Sequence, residues 1–336
     1  MTPVLAFVGS AALVVAAGAA LSRYADAIAD RTGVGRVWIG SVLLAGATSL
    51  PELATDVSAV RLGSADLAAG DLFGSSMANM LILALVDLAA PHRKVLRTVT
   101  LDHALAACLA VALTAVALLL VVLRPAGAWL GVVPPSAPLV LLYALGTRAI
   151  YRHVSGAASA PPPRSRASPS SDHRRSPTLA RAICGFTVAA AVICLAAPAF
   201  ARSAIRVAAL TGLGNGVVGA WLVGFATSLP ELVTSVAAVR IGALDLAVGN
   251  LFGSNGFNMV IFAALDVVSP SGSVFAALAP VQLVTGLLGV ALTSLGLAAV
   301  VYRAERRFAM IEPGAVLVVA AYVAGLAVIG WSGSGR

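Results

Sequence analysis

Long apolar runs separated by short polar breaks dominate this chain, with no strand-like alternation between them. Runs of about 20 residues match the helix needed to cross a hydrocarbon core. They predict spans near 3–22, 37–60, 67–90, 99–123, 136–151, 180–200, 216–239, 246–268, 277–302 and 310–331. The fifth is the shortest, and Pro134 and Pro135 blur its start. The expected fold class is an all-α polytopic membrane protein with ten transmembrane helices. The first 22 residues lack the positively charged start of a signal peptide and are read as the first span.

One stretch, Val154 to Pro177, breaks this pattern, because Pro, Ser and Arg dominate it and nothing apolar recurs at a helical or strand period. It is read as a disordered linker. On either side stand a first five-helix repeat, 1–153, and a second, 178–336. Placing the linker in the cytoplasm puts most basic residues inside, among them Arg23, Arg31, Arg36, Arg93, Lys94, Arg97, Arg148 and Arg152. The positive-inside rule then predicts a multi-pass protein of the cell membrane with both termini outside.

Composition agrees with this picture. Of 336 residues, 60% are hydrophobic and 11% charged, with a mean hydropathy of +0.97, which leaves no room for a sizeable soluble domain. The net charge of +8 falls in loops without a basic motif or interleaved aromatics, so nucleic acid is not an expected partner. Cys108, Cys184 and Cys194 lie in apolar spans without metal-ligand spacing and read as small core residues.

The chain repeats itself. ATSLPEL at Ala47–Leu53 recurs unchanged at Ala226–Leu232, an offset of 179 residues from Glu52 to Glu231. At the same offset Arg23 falls on Arg202, Gly40 on Gly219, Arg61 on Arg240 and Gly63 on Gly242. GDLFGSSMANM, starting at Gly70, overlays GNLFGSNGFNM, starting at Gly249. Five spans separate equivalent points, and five is odd, so the second copy enters the membrane from the opposite side. Inverted repeats of this kind place ion sites near the midplane.

Glu52 and Glu231 carry the chemistry. A carboxylate at membrane depth costs roughly 2.5 to 3.5 kcal/mol on insertion scales, so each must face a cavity or a cation. No Lys or Arg lies at comparable depth to pair with them. Pro51 and Pro230 lack an N–H and open the helix one turn back. That frees carbonyls around Ala45, Thr48, Gly224 and Thr227 where irregular backbone can line a cavity. Ser75 and Asn79 are four apart, as are Ser254 and Asn258, so each pair shares a helical face. Gly74 and Gly253 would admit a neighbouring helix. With Ser49 and Ser228 the donors are all hard oxygens, which favours Ca²⁺ or Na⁺ over zinc or copper. Two negative charges balance one Ca²⁺ or two monovalent ions, and mutually exclusive occupancy is the physical basis of exchange.

At these residues the sequence resembles the cation/Ca²⁺ antiporter superfamily, particularly prokaryotic Na⁺/Ca²⁺ exchangers, whose two repeats carry Gly-x-(Thr/Ser)-Ser-x-Pro-Glu and Gly-Asn-x-x-Gly-Ser-Asn-x-x-Asn/Asp. The resemblance implies a ten-span fold with an ion core from the second, third, seventh and eighth helices, across which the first and sixth slide. It implies that Glu52 and Glu231 are ligands shared by Ca²⁺ and Na⁺, and that Thr48 and Thr227 offer backbone oxygens to Ca²⁺. Ser49, Ser75, Ser228 and Ser254, with the carbonyls of Ala45 and Gly224, would complete flanking Na⁺ sites, with Asn79 and Asn258 at the middle. Asn258 departs from the Asp of many exchangers, and Asp71 from the Asn that the second repeat keeps as Asn250. Asp71 reads equally as a hydrated acid near an outer turn or as a charge or proton site on an access path. Asp56, matched by Ser235, is equally open.

The expected function is a secondary antiporter that exchanges Na⁺ for Ca²⁺ by alternating access. A Ca²⁺/H⁺ antiporter on the same scaffold is the alternative, and an intramembrane enzyme or a passive channel is more remote. Ca²⁺ and Na⁺ would bind as substrates, with no cofactor and no obligate protein partner beyond the lipid bilayer.

Overall fold

The computed structural model describes residues 2–90, 92, 95–125, 127, 133–158, 177–210, 227–270, 272–302 and 313–334. The first helix, α1 (Thr2–Thr32), runs ten residues past the predicted span, because Arg23, Asp26 and Asp30 continue it beyond the apolar run. Gly33 and Gly35 then turn the chain with φ of 69° and 91°, a region open to glycine. Arg36 anchors the corner by donating to Asp26 at 2.6 Å and Asp30 at 2.8 Å.

The second predicted span is a broken helix. It begins with α2 (Arg36–Trp38), widens into a π-helical turn (Ile39–Leu44), tightens into α3 (Ala45–Thr48) and restarts as α4 (Leu50–Arg61). The two limbs meet at 43° beside Ser49. Pro51 sits in the first turn of α4, where its missing N–H breaks no helical bond. The proline break was legible; the π turn before it has no sequence signature.

The remaining first-half elements are α5 (Ala65–Ala89), α6 (Val95–Thr98), α7 (His103–Leu123) and α8 (Ala137–Ala158). α8 continues to Ala158 and so takes in the first residues of the segment predicted to be linker. Val154 explains the extension, because it packs on the main apolar core and approaches Gly35. Residues 159–176 of the linker lie outside the described residues. The second half contains α9 (Leu179–Leu210), α10 (Leu229–Ile241), α11 (Leu244–Val268), α12 (Val274–Ala277), α13 (Val281–Tyr302) and α14 (Pro313–Ser334).

The described structure is all-helical. Seven of its helices are long and apolar enough to cross a membrane, and the bent pair Arg36–Thr48 with Leu50–Arg61 makes an eighth. α8, which carries Arg148, Arg152 and His153, and α10, only 13 residues long, do not meet that measure.

α11 occupies the centre. It packs against the π turn, α3, α4, α5 and α7 of the first half as well as α10 of its own. Close approach to the π turn depends on glycine: a Cβ at Gly253 would run into the Ser41 backbone, and one at Gly40 would lie 2.8 Å from the Leu246 carbonyl. Gly74, expected to admit a helix in the same way, faces open space among the described residues. α1 and α9 lie side by side across this core, α1 against α10 and α9 against α3 and α4.

Three aspartates, Asp245, Asp66 and Asp266, tie the halves together, while Asp87 bonds within its own half. Asp245 accepts from the Thr100 N–H at 2.9 Å and faces His103 Nε2 at 3.0 Å. Its repeat mate Asp66 accepts from the Ala279 N–H at 2.7 Å, and Gln282 donates to the Asp66 carbonyl at 3.0 Å. Asp87 accepts from the Leu96 N–H, and its mate Asp266 from the N–H groups of Ser136 and Val274 and the Ser273 hydroxyl. The cysteines do not occupy the core. Cys108 and Cys184 are exposed on outward helix faces and Cys194 is half-buried, since apolar composition in a membrane helix does not say which face turns inward.

Candidate ion-binding site

Thr48 and Ser49 lie at the 43° bend ahead of Pro51. The Ala45 carbonyl expected to be freed there still accepts from the Ser49 N–H at 3.0 Å, and Thr227 and Ser228 directly precede α10 in the second half. Glu52 and Glu231 follow directly, each in the first turn of a helix that begins inside the molecule. Such N-termini carry unpaired N–H groups and a positive partial charge that favour a carboxylate. Both glutamates are buried, at 3% and 1% exposure, and the charge of Glu231 acts on Glu52.

Around Glu52 the oxygens are hydrogen-bonded. In the orientation where its amide nitrogen faces acceptors, Asn258 donates to Glu52 Oε2 at 3.0 Å, the Ser254 carbonyl at 3.1 Å and Ser49 Oγ at 3.2 Å. Thr48 Oγ1 donates to the Ala45 carbonyl at 3.1 Å and lies 3.4 Å from Ser254 Oγ. The Glu231 side differs. Both Glu231 oxygens, Ser228 Oγ, Ser75 Oγ and Asn79 Oδ1 are buried without a hydrogen-bond partner. Orphaned acceptors at this density are rare in folded proteins and call for a positive partner. The available donors are two carboxylates and neutral oxygens; among the described residues no three Asp, Glu, His or Cys side chains gather as a metal site. Gly224 lies outside the described residues.

Asp71 is half-buried. Thr227 Oγ1 donates to its Oδ1 at 3.2 Å, its Oδ2 is buried, and its charge acts on both glutamates. Across the repeat, Thr48 Oγ1 approaches Asn250 Oδ1 at 3.3 Å. Asp56 is buried as well, with Oδ2 unpartnered.

A second polar cluster was missed. Asn79 donates to Asn255 Oδ1 at 2.9 Å, and Asn255 donates to the Ser76 carbonyl at 3.2 Å and to Thr293 Oγ1 at 3.1 Å. It orients Asn79 so that its Oδ1 remains free of the network. Ser76 and Asn255 are repeat mates, and that correspondence was the available signal.

The profile of the sodium/calcium exchanger protein family matches residues 2–149 and 181–331, nearly all of both halves. The chain belongs to that family. This sodium/calcium exchanger family member is 38% identical over 87 residues to the sodium/calcium exchanger MaX1 of Methanosarcina acetivorans, a match covering 26% of the chain and 25% of MaX1. It is 25% identical over 275 residues to the putative antiporter CaxA of Alkalimonas amylolytica, covering 76% of the chain and 77% of that protein. Its fold is similar to that of the sodium-calcium exchanger NCX_Mj, with a TM-score of 0.70, 21% identity and 99% of each chain covered. The family consists of transporters, so the chain is a multi-pass membrane carrier of the cation/Ca²⁺ exchange type and not an enzyme.

Proposed function

We propose that this exchanger moves Ca²⁺ against Na⁺ across the cell membrane at one site formed by Glu52 and Glu231. The observation that carries the reading is the burial of Glu52 and Glu231, with both Glu231 oxygens and three neutral oxygens, Ser75 Oγ, Asn79 Oδ1 and Ser228 Oγ, left without a hydrogen-bond partner. One Ca²⁺ neutralises both carboxylates, and two Na⁺ do the same, so either cargo excludes the other. Thr48, Thr227, Ser49, Ser75, Ser228, Ser254, Asn79 and Asn258 supply the remaining oxygens, with the carbonyls of Ala45 and Gly224.

In this reading the chain crosses the membrane ten times as two inverted five-helix repeats, 1–153 and 178–336, joined by a cytoplasmic linker with both termini outside. The reciprocal bonds of Asp245 and Asp66, and the matching helix starts at Leu50 and Leu229 with Pro51 and Pro230 in their first turns, support the pseudo-twofold relation. α1 and α9, which lie side by side over the core, are the elements that slide to alternate access.

The test is ⁴⁵Ca²⁺ uptake into proteoliposomes under an imposed Na⁺ gradient or an imposed pH gradient. The expected result is uptake driven by outward Na⁺ and indifferent to pH. Uptake driven only by a proton gradient would make the carrier a Ca²⁺/H⁺ antiporter, and uptake needing no opposing gradient would sink the exchange reading.

A further inference from the structure

α1 and α10 are locked together along one edge, where Ser22 donates to the Thr234 carbonyl at 2.8 Å and a Cβ on Gly18 would meet the Val233 side chain. Beside that edge lies a cavity of about 350 Å³. Two stripes wall it: Val15, Ala19 and Arg23 on α1, and Leu232, Val236 and Arg240 on α10. Residues four apart share a helix face, so each stripe reads apolar, apolar, arginine. The edge contacts advance in the same direction along both helices, which places the two arginines at one end of the cavity. Val15 and both arginines are exposed, and Leu232 and Val236 are half-buried, so the cavity opens on the outer face of the helices. Arg23 is the first residue past the apolar run 3–22 and Arg240 the first past 216–239, the level of the lipid–water boundary.

Two cations lining one cavity repel each other, and among the described residues no acid forms an ion pair with Arg23. We propose that this groove binds an anionic phospholipid of the surrounding bilayer, one acyl chain lying along the apolar stripes and the phosphate held between the Arg23 and Arg240 guanidiniums. The planar fork of a guanidinium matches phosphate oxygens, and basic pockets between membrane helices take anionic headgroups. A soluble anion would answer the two charges and leave the apolar stripes uncovered. A neutral lipid would cover the stripes and leave the charges together. Lipid seated here braces α1 against α10. The site needs only the groove and its two guanidiniums, whichever cations the carrier exchanges.

The experiment counts the lipid retained by the purified full-length chain in neutral detergent, by native mass spectrometry, after equal addition of phosphatidylglycerol or phosphatidylcholine. The natural chain is compared with Arg23→Gln combined with Arg240→Gln, and with Arg61→Gln combined with Arg202→Gln. The second pair removes the same charge from the repeat mates, which do not line the groove. Thermal midpoints in lipid-free detergent check folding. Phosphatidylglycerol retention should fall roughly ten-fold or more in the Arg23/Arg240 variant and hold in the mate variant. Ala19→Phe, which fills the slot and keeps both charges, should weaken retention as well. Equal retention by the folded Arg23/Arg240 variant, or by Ala19→Phe, would overturn the proposal, and so would equal loss in the mate variant, which would reduce the effect to net charge. A natural chain that keeps phosphatidylcholine as well as phosphatidylglycerol would overturn it without any variant. Inorganic phosphate is the last arm: if it raises the natural chain's thermal midpoint as far as phosphatidylglycerol does, the groove takes a free anion and the lipid assignment falls.

Discussion

Glu231 and Glu52 are repeat mates in unequal surroundings. Asn258 holds one oxygen of Glu52, whereas neither oxygen of Glu231 has a partner. Glu52→Gln and Glu231→Gln are each expected to abolish Ca²⁺ flux in proteoliposomes, because the remaining carboxylate no longer balances a divalent ion. Retained transport in either inserted variant would remove that residue from the ligand set. In ion-free detergent the two should differ. Glu231→Gln gives an orphaned position a donor and relieves a desolvated carboxylate, so its thermal midpoint should be equal to or above that of the natural chain. Gly253 makes a separate prediction: an alanine there meets the Ser41 backbone, and overpacking of this kind costs about 1 to 3 kcal/mol. Thermal unfolding of Gly253→Ala should show a clear drop, and Gly74→Ala, which meets nothing within 4 Å, almost none.

At the level of elements, the broken second helix links sequence to site. Pro51→Ala restores an N–H beside the joint and lets α3 and α4 approach a straight helix, so exchange should slow while the thermal midpoint holds. Unchanged exchange rates would mean that the bend does not shape the site. The proline, the glutamate after it and the Ser and Asn of the next helix were legible because they recur at a fixed offset, and recurrence separates chemistry from apolar background. Other features had no such signal. The π turn at Ile39–Leu44 depends on packing against α11, not on a residue type. The Asn79–Asn255–Thr293 chain joins residues from both halves, so no local spacing encodes it. Helix ends also escaped, as α1 and α8 run past their apolar stretches on polar or half-buried residues. The facing of the cysteines was misread because helices of 60%-apolar composition carry no clear inward stripe.

For the whole molecule, polar ties join the halves both at helix ends, as at Asp66 and Asp245, and in the buried centre, as at Asn79–Asn255. Removing Asp245 deprives the Thr100 N–H and His103 of their acceptor. Asp245→Ala should therefore cost about 1 to 3 kcal/mol of stability, read as a lower thermal midpoint, with Ca²⁺ affinity little changed. Shortening the segment between α8 and α9 should alter flux by less than about two-fold, because loop length enters stability only logarithmically and the expected linker supplies no site residue.

The crossing of contacts, in which α11 is surrounded by first-half helices and Asp66 and Asp245 each reach into the other half, has a practical outcome. Severed between α8 and α9 and made as two separate polypeptides in one cell, the fragments should find each other within the bilayer and reconstitute a working carrier. Either fragment alone would expose a surface meant for its counterpart and should be cleared by proteolysis.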